Sequence, residues 1–171
     1  MKFEDVLLGR RSVRRYEKKP VPRELITDLI AAAELAPSAG NLRARKYFVV
    51  TRPEMRKALA LASYGQRPVE TAPVLLVVAA DVERSSSRYG DRGSLFSLQD
   101  ATAATMCLLL AAHNLGLGAC WIGAFDDELV KEALSLEEHL LPLAIVSLGW
   151  PAEEPRPPPQ RDLGEMLFWI D

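Results

Sequence analysis

The chain has little with which to staple itself or hold a metal. Its 171 residues include two cysteines, Cys107 and Cys120, and two histidines, His113 and His139. That excludes a disulfide framework and a Cys/His cluster, so no metal site is expected. Both cysteines lie in apolar stretches and read as buried free thiols. His113 falls in a helical pattern and reads as a packing or subunit-contact residue. His139 follows two glutamates and reads as exposed, and no nucleophile–base triad can be built from the pair. An excess of positive charge is also missing: the net charge is −2, whereas a protein that grips nucleic-acid backbone is usually basic. Long apolar runs are absent as well. The longest, Met106 to Ala112, is far too short to cross a bilayer. The N-terminus, Met1-Lys2-Phe3-Glu4-Asp5, has no apolar core of a signal peptide. The expectation is a cytoplasmic chain with neither nucleic acid nor membrane as partner.

What is present is an ordinary globular composition, 49% hydrophobic and 26% charged, in a length that fits one domain. Residues 3–9 suit a short helix. Val21-Pro22-Arg23-Glu24 opens a second, with Leu25, Leu29, Ile30, Ala33 and Ala36 at helical spacing, and Pro37 ends it. Lys46 to Thr51 reads as a strand, Pro53 to Ala62 as a helix, and Pro73 to Ala80 as a strand covered on both faces. Asp81 to Ser94 is polar and Ser/Arg-rich and reads as a surface loop. Leu98 to Leu115 reads as a long helix buried nearly all round, stopped by Gly116 and Gly118. Ala119 to Ile122 is a short strand. Asp126 or Asp127 caps a helix to about Leu134, and Leu140 to Leu148 is the last core strand. Pro151 to Pro159 is a stiff spacer. The tail beyond it, Leu163 to Ile170, is too apolar for a solvated end and suggests docking on a second subunit. Alternating helices and strands give a layered α/β or α+β domain.

Three strings carry the chemistry. The first is Arg10-Arg11-Ser12-Val13-Arg14-Arg15. In an extended loop, i and i+2 side chains can face one pocket, so Arg10 and Ser12 suit a phosphate and Arg14 a flat electron-poor ring. Arg15, Lys18 and Lys19 read as solvated charge. The second is Pro37-Ser38-Ala39-Gly40-Asn41, a small-residue turn with two hydrogen-bonding side chains. The third runs from Leu115 to Phe125. It is not a dinucleotide fingerprint, because its third glycine comes too late and it follows a helix and leads into a strand. Gly116 and Gly118 are a helix stop and a tight turn. Gly123 falls at a strand end, where a bare backbone N–H can meet a ring. Phosphate at one end and a flat body at the other describe flavin mononucleotide (FMN).

In this order the strings resemble the nitroreductase family of FMN-dependent oxidoreductases, from Phe3 to Trp169. The resemblance implies an α+β sandwich with a mainly antiparallel sheet flanked by helices. It also implies an intertwined homodimer with FMN at the subunit interface. The implied reaction takes hydride from NADH or NADPH and passes electrons to a small-molecule acceptor in ping-pong order. The implied flavin ligands are Arg10, Arg11, Ser12 and Arg14 for phosphate and pyrimidine edge, and Pro37, Ser38, Ala39 and Asn41 lent by the partner subunit. Ile122 and Gly123 would lie beside the ring, with Arg161, or Gln160 one residue earlier, on the phosphate. No side chain is expected to be catalytic in itself, since the flavin carries the redox step. Residues 1–161 would form the body and 162–171 a tail reaching onto the partner.

After Asn41 the family commonly shows Gln-Pro-Trp, whereas this chain has Arg43-Ala44-Arg45. Two added guanidiniums there suit an acidic substrate or the nicotinamide phosphate, with drift on a surface turn as the plainer reading. Gln99 and Asp100 read as a cap or interface hydrogen bond. A carrier, sensor or flavin-processing protein on the same scaffold is the alternative function, and an anion- or nucleic-acid-binding module is a third.

Overall fold

Four runs of β-favouring residues become one antiparallel sheet. In the computed structural model, which describes residues 1–157, 159 and 162–170, these are β1 (Arg45–Val50), β2 (Val74–Asp81), β3 (Gly118–Ile122) and β4 (Leu140–Gly149), in the order β1-β2-β4-β3. All three pairings are antiparallel. β2 is buried at every position, because helices cover both faces. Pro142 sits in β4 opposite Ala79. The partners of β3 begin only at Ile145, so the missing proline N–H lies where the strand has one neighbour.

Among the described residues seven α-helices surround the sheet: α1 (Phe3–Gly9), α2 (Arg23–Ala33), α3 (Pro53–Ala62), α4 (Arg67–Thr71), α5 (Val82–Tyr89), α6 (Gly93–Asn114) and α7 (Asp127–Leu134). On one face α2 and α6 bury Leu29, Leu108 and Ala112 against Leu76, Val146 and Leu148. On the other, α3 and α7 bury Leu59 and Val130 against Leu75, Val77 and Ile145. This is the expected α+β architecture.

The structure corrects several expectations. Residues 81–94 are not a loop. Asp81 caps α5, its carboxylate accepting the Arg84 N–H at 3.0 Å. A Cβ built on Gly93 would lie 2.3 Å from Ser86 Cα, so glycine lets α6 start hard against α5 and five residues early. The short helix α4 was missed, although Pro68 in its first turn is a helix-start signal. α6 is not buried all round: Leu95, Gln99, Thr102 and Met106 form an exposed stripe. The helical run Val82–Asn114 is the single stretch among the described residues long and apolar enough to cross a membrane, yet Leu108, Leu109 and Ala112 pack into the core. His139 is half-buried, with Nε2 3.2 Å from Glu137 and Nδ1 3.5 Å from Glu83. Cys120 is buried as expected, but Cys107 is only partly so.

Arg45 has a structural role. Its side chain is fully buried. Nε donates to Glu34 Oε1 at 2.7 Å, and the guanidinium also donates to the carbonyls of Ala36 and Asp100. Tyr47 donates to the same Glu34 oxygen at 2.8 Å. Burial opposes ionisation of Glu34, but the Arg45 and Tyr47 hydrogen bonds prevail and hold its carboxyl below the usual range. A substrate anion therefore has no access to Arg45. Replacing it with methionine strands these acceptors. Arg45→Met should lower unfolding stability by about 2–4 kcal/mol in urea titrations, and an unchanged midpoint would refute the clamp.

Candidate functional site

The basic string leaves α1 and runs alongside β3. Ser12 pairs with Ala119 in a parallel bridge, and Val13 N–H donates to Ala119 O at 3.0 Å. Val13 is buried, and it packs so closely that a Cβ on Gly118 would lie 2.7 Å from its Cγ1. Gly118 is thus required by this apposition. The next anchor is Tyr16, whose hydroxyl lies 2.6 Å from Val13 O and 2.7 Å from Ser147 Oγ. Burial raises its phenol pKa well above the ordinary value, against the opposing effect of the Ser147 hydrogen bond. A third anchor comes from Glu153, 138 residues away from Arg15. Its carboxylate accepts the Arg14 N–H at 2.6 Å, the Arg15 N–H at 3.1 Å and Arg15 Nε at 2.9 Å. The Arg14 backbone hydrogen bond is the largest cause of a Glu153 pKa below the ordinary value.

These anchors use Arg15 and leave its neighbours free. Arg10, Arg11 and Arg14 enter no ion pair with a carboxylate among the described residues. Arg11 Nη1 donates to Arg10 O at 2.7 Å, while its Nε is buried without a partner. Arg14 is exposed. A cavity of about 570 Å³ opens beside Arg10 and Arg11, walled by Val13, Leu117 and His113 and also by Glu153, whose carboxylate is taken by Arg14 and Arg15, and by Glu154. Burial, then Arg10 and Arg11, push the His113 pKa down, so at neutral pH it adds no charge. The cavity takes in Arg10 and Arg11 but not Ser12, Arg14, Ile122 or Gly123. The phosphate end of the expected site is concave, and the rest lies outside this hollow.

At the exit of β3, Ile122 is buried and Gly123 exposed. A Cβ on Gly123 would meet only the Trp121 ring, at 3.6 Å from Nε1 and 3.9 Å from Cδ1, so the chain's own packing does not demand glycine there. The segment after it is pinned twice: Gln66 Nε2 donates to Ala124 O at 2.7 Å, and Asp126 N–H donates to Ala62 O at 2.8 Å. Glu153 and Gln66 both escaped the reading of the sequence. For Gln66 the available signal was Gly65 beside it, at φ +69°, which marks a turn. For Glu153 there was none.

The second string stands apart. Residues 39–41 form a 3₁₀ turn, with Gly40 and Asn41 both at φ +55°. Asp100 accepts the Ala39 N–H at 2.8 Å and the Ala44 N–H at 3.3 Å, and Ser38 Oγ accepts the Arg43 N–H at 3.0 Å. Pro37 and Asn41 are exposed, while Ser38 and Ala39 are half-buried. None of residues 37–41 lines the cavity beside Arg10. One chain does not bring the two strings together there. Gln160 and Arg161 lie outside the described residues.

A sequence model described as the nitroreductase family matches residues 7–70 and 62–150. The chain belongs to the nitroreductase family. Among its relatives, a protein named NADH dehydrogenase from Thermus thermophilus is 36% identical over 192 residues, covering 95% of this chain and 93% of its own. One named FMN reductase (NADPH) from Bacillus subtilis is 29% identical over 185 residues, covering 98% of this chain and 74% of its own. The crystal structure of nitroreductase A from Vibrio parahaemolyticus superposes with a TM-score of 0.90 at 27% identity, covering 99% of this chain and 76% of that one.

The loop carrying the arginines is held by the Glu153 carboxylate. Its pKa is depressed in the folded state, so its contribution is present above the unfolded value of about 4.5 and is lost as pH falls through the folded pKa. Glu153→Gln should therefore weaken the wild-type protein's acid-dependent loss of stability below about pH 4.5, read by thermal melting across pH 3–7. Superimposable wild-type and variant profiles would show that this carboxylate does not hold the loop.

Proposed function

We propose that the chain is an FMN-dependent NAD(P)H oxidoreductase that reduces a nitro, quinone or related acceptor in two half-reactions, working as a homodimer. The observation that carries this is the pinned row of unpaired arginines that runs alongside β3 from its first residues. The buried, partnerless Arg11 Nε and the hollow next to Arg10 suit a phosphate. The bare backbone at Gly123 has room for a flat ring. Arg10, Arg11 and Ser12 would hold the FMN phosphate. Arg14 would lie on the pyrimidine edge, and Gly123 N–H would point at the redox nitrogen. When bound, FMN supplies the hydride and electron chemistry. The chain's own residues neutralise charge, fix the ring and leave one face open. Donor and acceptor then share that face in turn, which is ping-pong order. A small-molecule acceptor needs no further machinery.

The dimer follows from surfaces that one chain leaves bare. Phe3 and Leu8 on α1, and Leu95 and Met106 on α6, are exposed. Phe168, Trp169 and Ile170 of the tail are 79%, 81% and 97% exposed. The outer edge of β1 has no strand partner among the described residues. Beside it runs a groove of about 280 Å³ lined by Ile26, Ile30 and Val49. We assign the partner's residues 162–171 to that edge, with residues 1–161 as the body. The same twofold would lend Pro37, Ser38, Ala39 and Asn41 to the partner's flavin. A reducing cytosol is the compartment that fits.

Purified protein should be yellow and should bleach with NADH or NADPH under anaerobic conditions, then recover colour with an acceptor. A yellow protein that never bleaches would favour the carrier or sensor reading. A colourless protein that cannot be loaded with FMN would remove both. Arg14→Ala should weaken FMN binding by roughly tenfold and lower the flavin potential, since a charge-assisted contact is lost. Unchanged affinity and potential would make Arg14 a solvated charge. Deleting residues 162–171 should convert the dimer to monomer by light scattering, and a stable truncated dimer would refute the exchanged tail.

A further inference from the structure

A second set of arginines remains outside the flavin ligands. α5 presents Arg84 and Arg88 one turn apart, hence on one face, and both meet the loop that carries Asn41. Arg84 Nε donates to Leu42 O at 2.5 Å. The Arg88 guanidinium lies over Gly40, where a Cβ would be 3.0 Å from its Nη1. Arg43 follows in the same loop at φ +50°. Glycine or asparagine would take that conformation more easily, so an arginine there adds charge rather than ease of folding. All three are exposed.

None of the three is in an ion pair among the described residues. Glu34 feels Arg43, but its carboxylate is taken by Arg45 and Tyr47. Arg84 uses one of its five N–H donors on the loop, which leaves the planar fork for something else. In a chain of net charge −2, three unneutralised guanidiniums on one rim make a local positive field. Arginine forks match phosphate and carboxylate oxygens in pairs.

We propose that Arg43, Arg84 and Arg88 form an anion-binding rim that selects redox partners carrying a phosphate or carboxylate. This rests on the flavin reading, which places Asn41 at the ring that such partners must approach. The charged group has two sources: the 2′-phosphate of NADPH, or a carboxylate on the acceptor.

The test uses FMN-loaded protein and the double variant Arg43→Gln/Arg88→Gln, with Arg84→Lys as a charge-preserving control. Anaerobic flavin reduction by NADPH and by NADH is one arm. Reoxidation by 4-nitrobenzoate and by 4-nitrobenzamide is the other. The double variant should lower the kcat/KM ratio of charged to neutral partner on the order of tenfold in one arm. That arm identifies the source. Arg84→Lys, which keeps the charge but loses the fork, should lower the ratio less than the double variant does, and high salt should erase the ratio in the wild type. Equal changes for charged and neutral partners in both arms, or no change in either, would overturn the rim. Calorimetric titration with 2′,5′-ADP against 5′-AMP reads the phosphate preference without turnover. Failure to hold FMN would sink the flavin reading, whereas retained FMN with unmoved ratios and equal calorimetric affinities would sink the rim alone.

Discussion

The close apposition of Val13 on Gly118 is the contact on which the candidate site depends. Only a residue without a side chain lets the basic loop lie so near β3. The Val13–Ala119 hydrogen bond then sets the loop's height along the strand, and Tyr16 ties it to Ser147 of the neighbouring β4. Guanidiniums on a free loop would scatter into water and lose rotamer freedom on binding an anion. Seated on an edge strand, they are organised beforehand.

Charge is partitioned by the same logic. Arg45 and Arg15 each have a carboxylate, Glu34 and Glu153 respectively. Arg10, Arg11 and Arg14 have none among the described residues, nor do Arg43, Arg84 and Arg88. Two groups of such arginines lie close together, one on the loop after α1 and one where α5 meets the turn after α2. Arg15 and Arg45 hold backbone with the help of their carboxylates, and Arg84 holds its loop without one, through Leu42 O.

Much of the fold was legible because burial writes itself into composition. β2 and β4 read as strands since Val, Leu and Ala occupy both faces, and α2 read as a helix from the spacing of Leu29, Ile30 and Ala33. α5 did not, because Val-Glu-Arg-Ser-Ser-Ser-Arg-Tyr has almost no apolar stripe. Its helix rests on the Asp81 cap and on packing against α6 at Gly93, a contact between segments that no local pattern reveals. Arg45 was misread for a related reason. A guanidinium next to a turn looks like surface charge until the carbonyls of Ala36 and Asp100 close around it. The three strings were legible as unusual sequence, but nothing local shows that the first seats on β3 at Ala119 while the second forms a separate turn held by Asp100. Glu153 was not, since a carboxylate in a proline-rich stretch gains its meaning only from chain that folds back from 138 residues away.

Cys120 lies under this loop, on the strand that carries the site, and burial is the largest cause of a raised thiol pKa. The thiolate is the form that peroxide attacks. Kept protonated and out of solvent, this sulfur is a poor target for oxidants, so the strand beneath the basic loop carries a thiol that packs as a small apolar side chain.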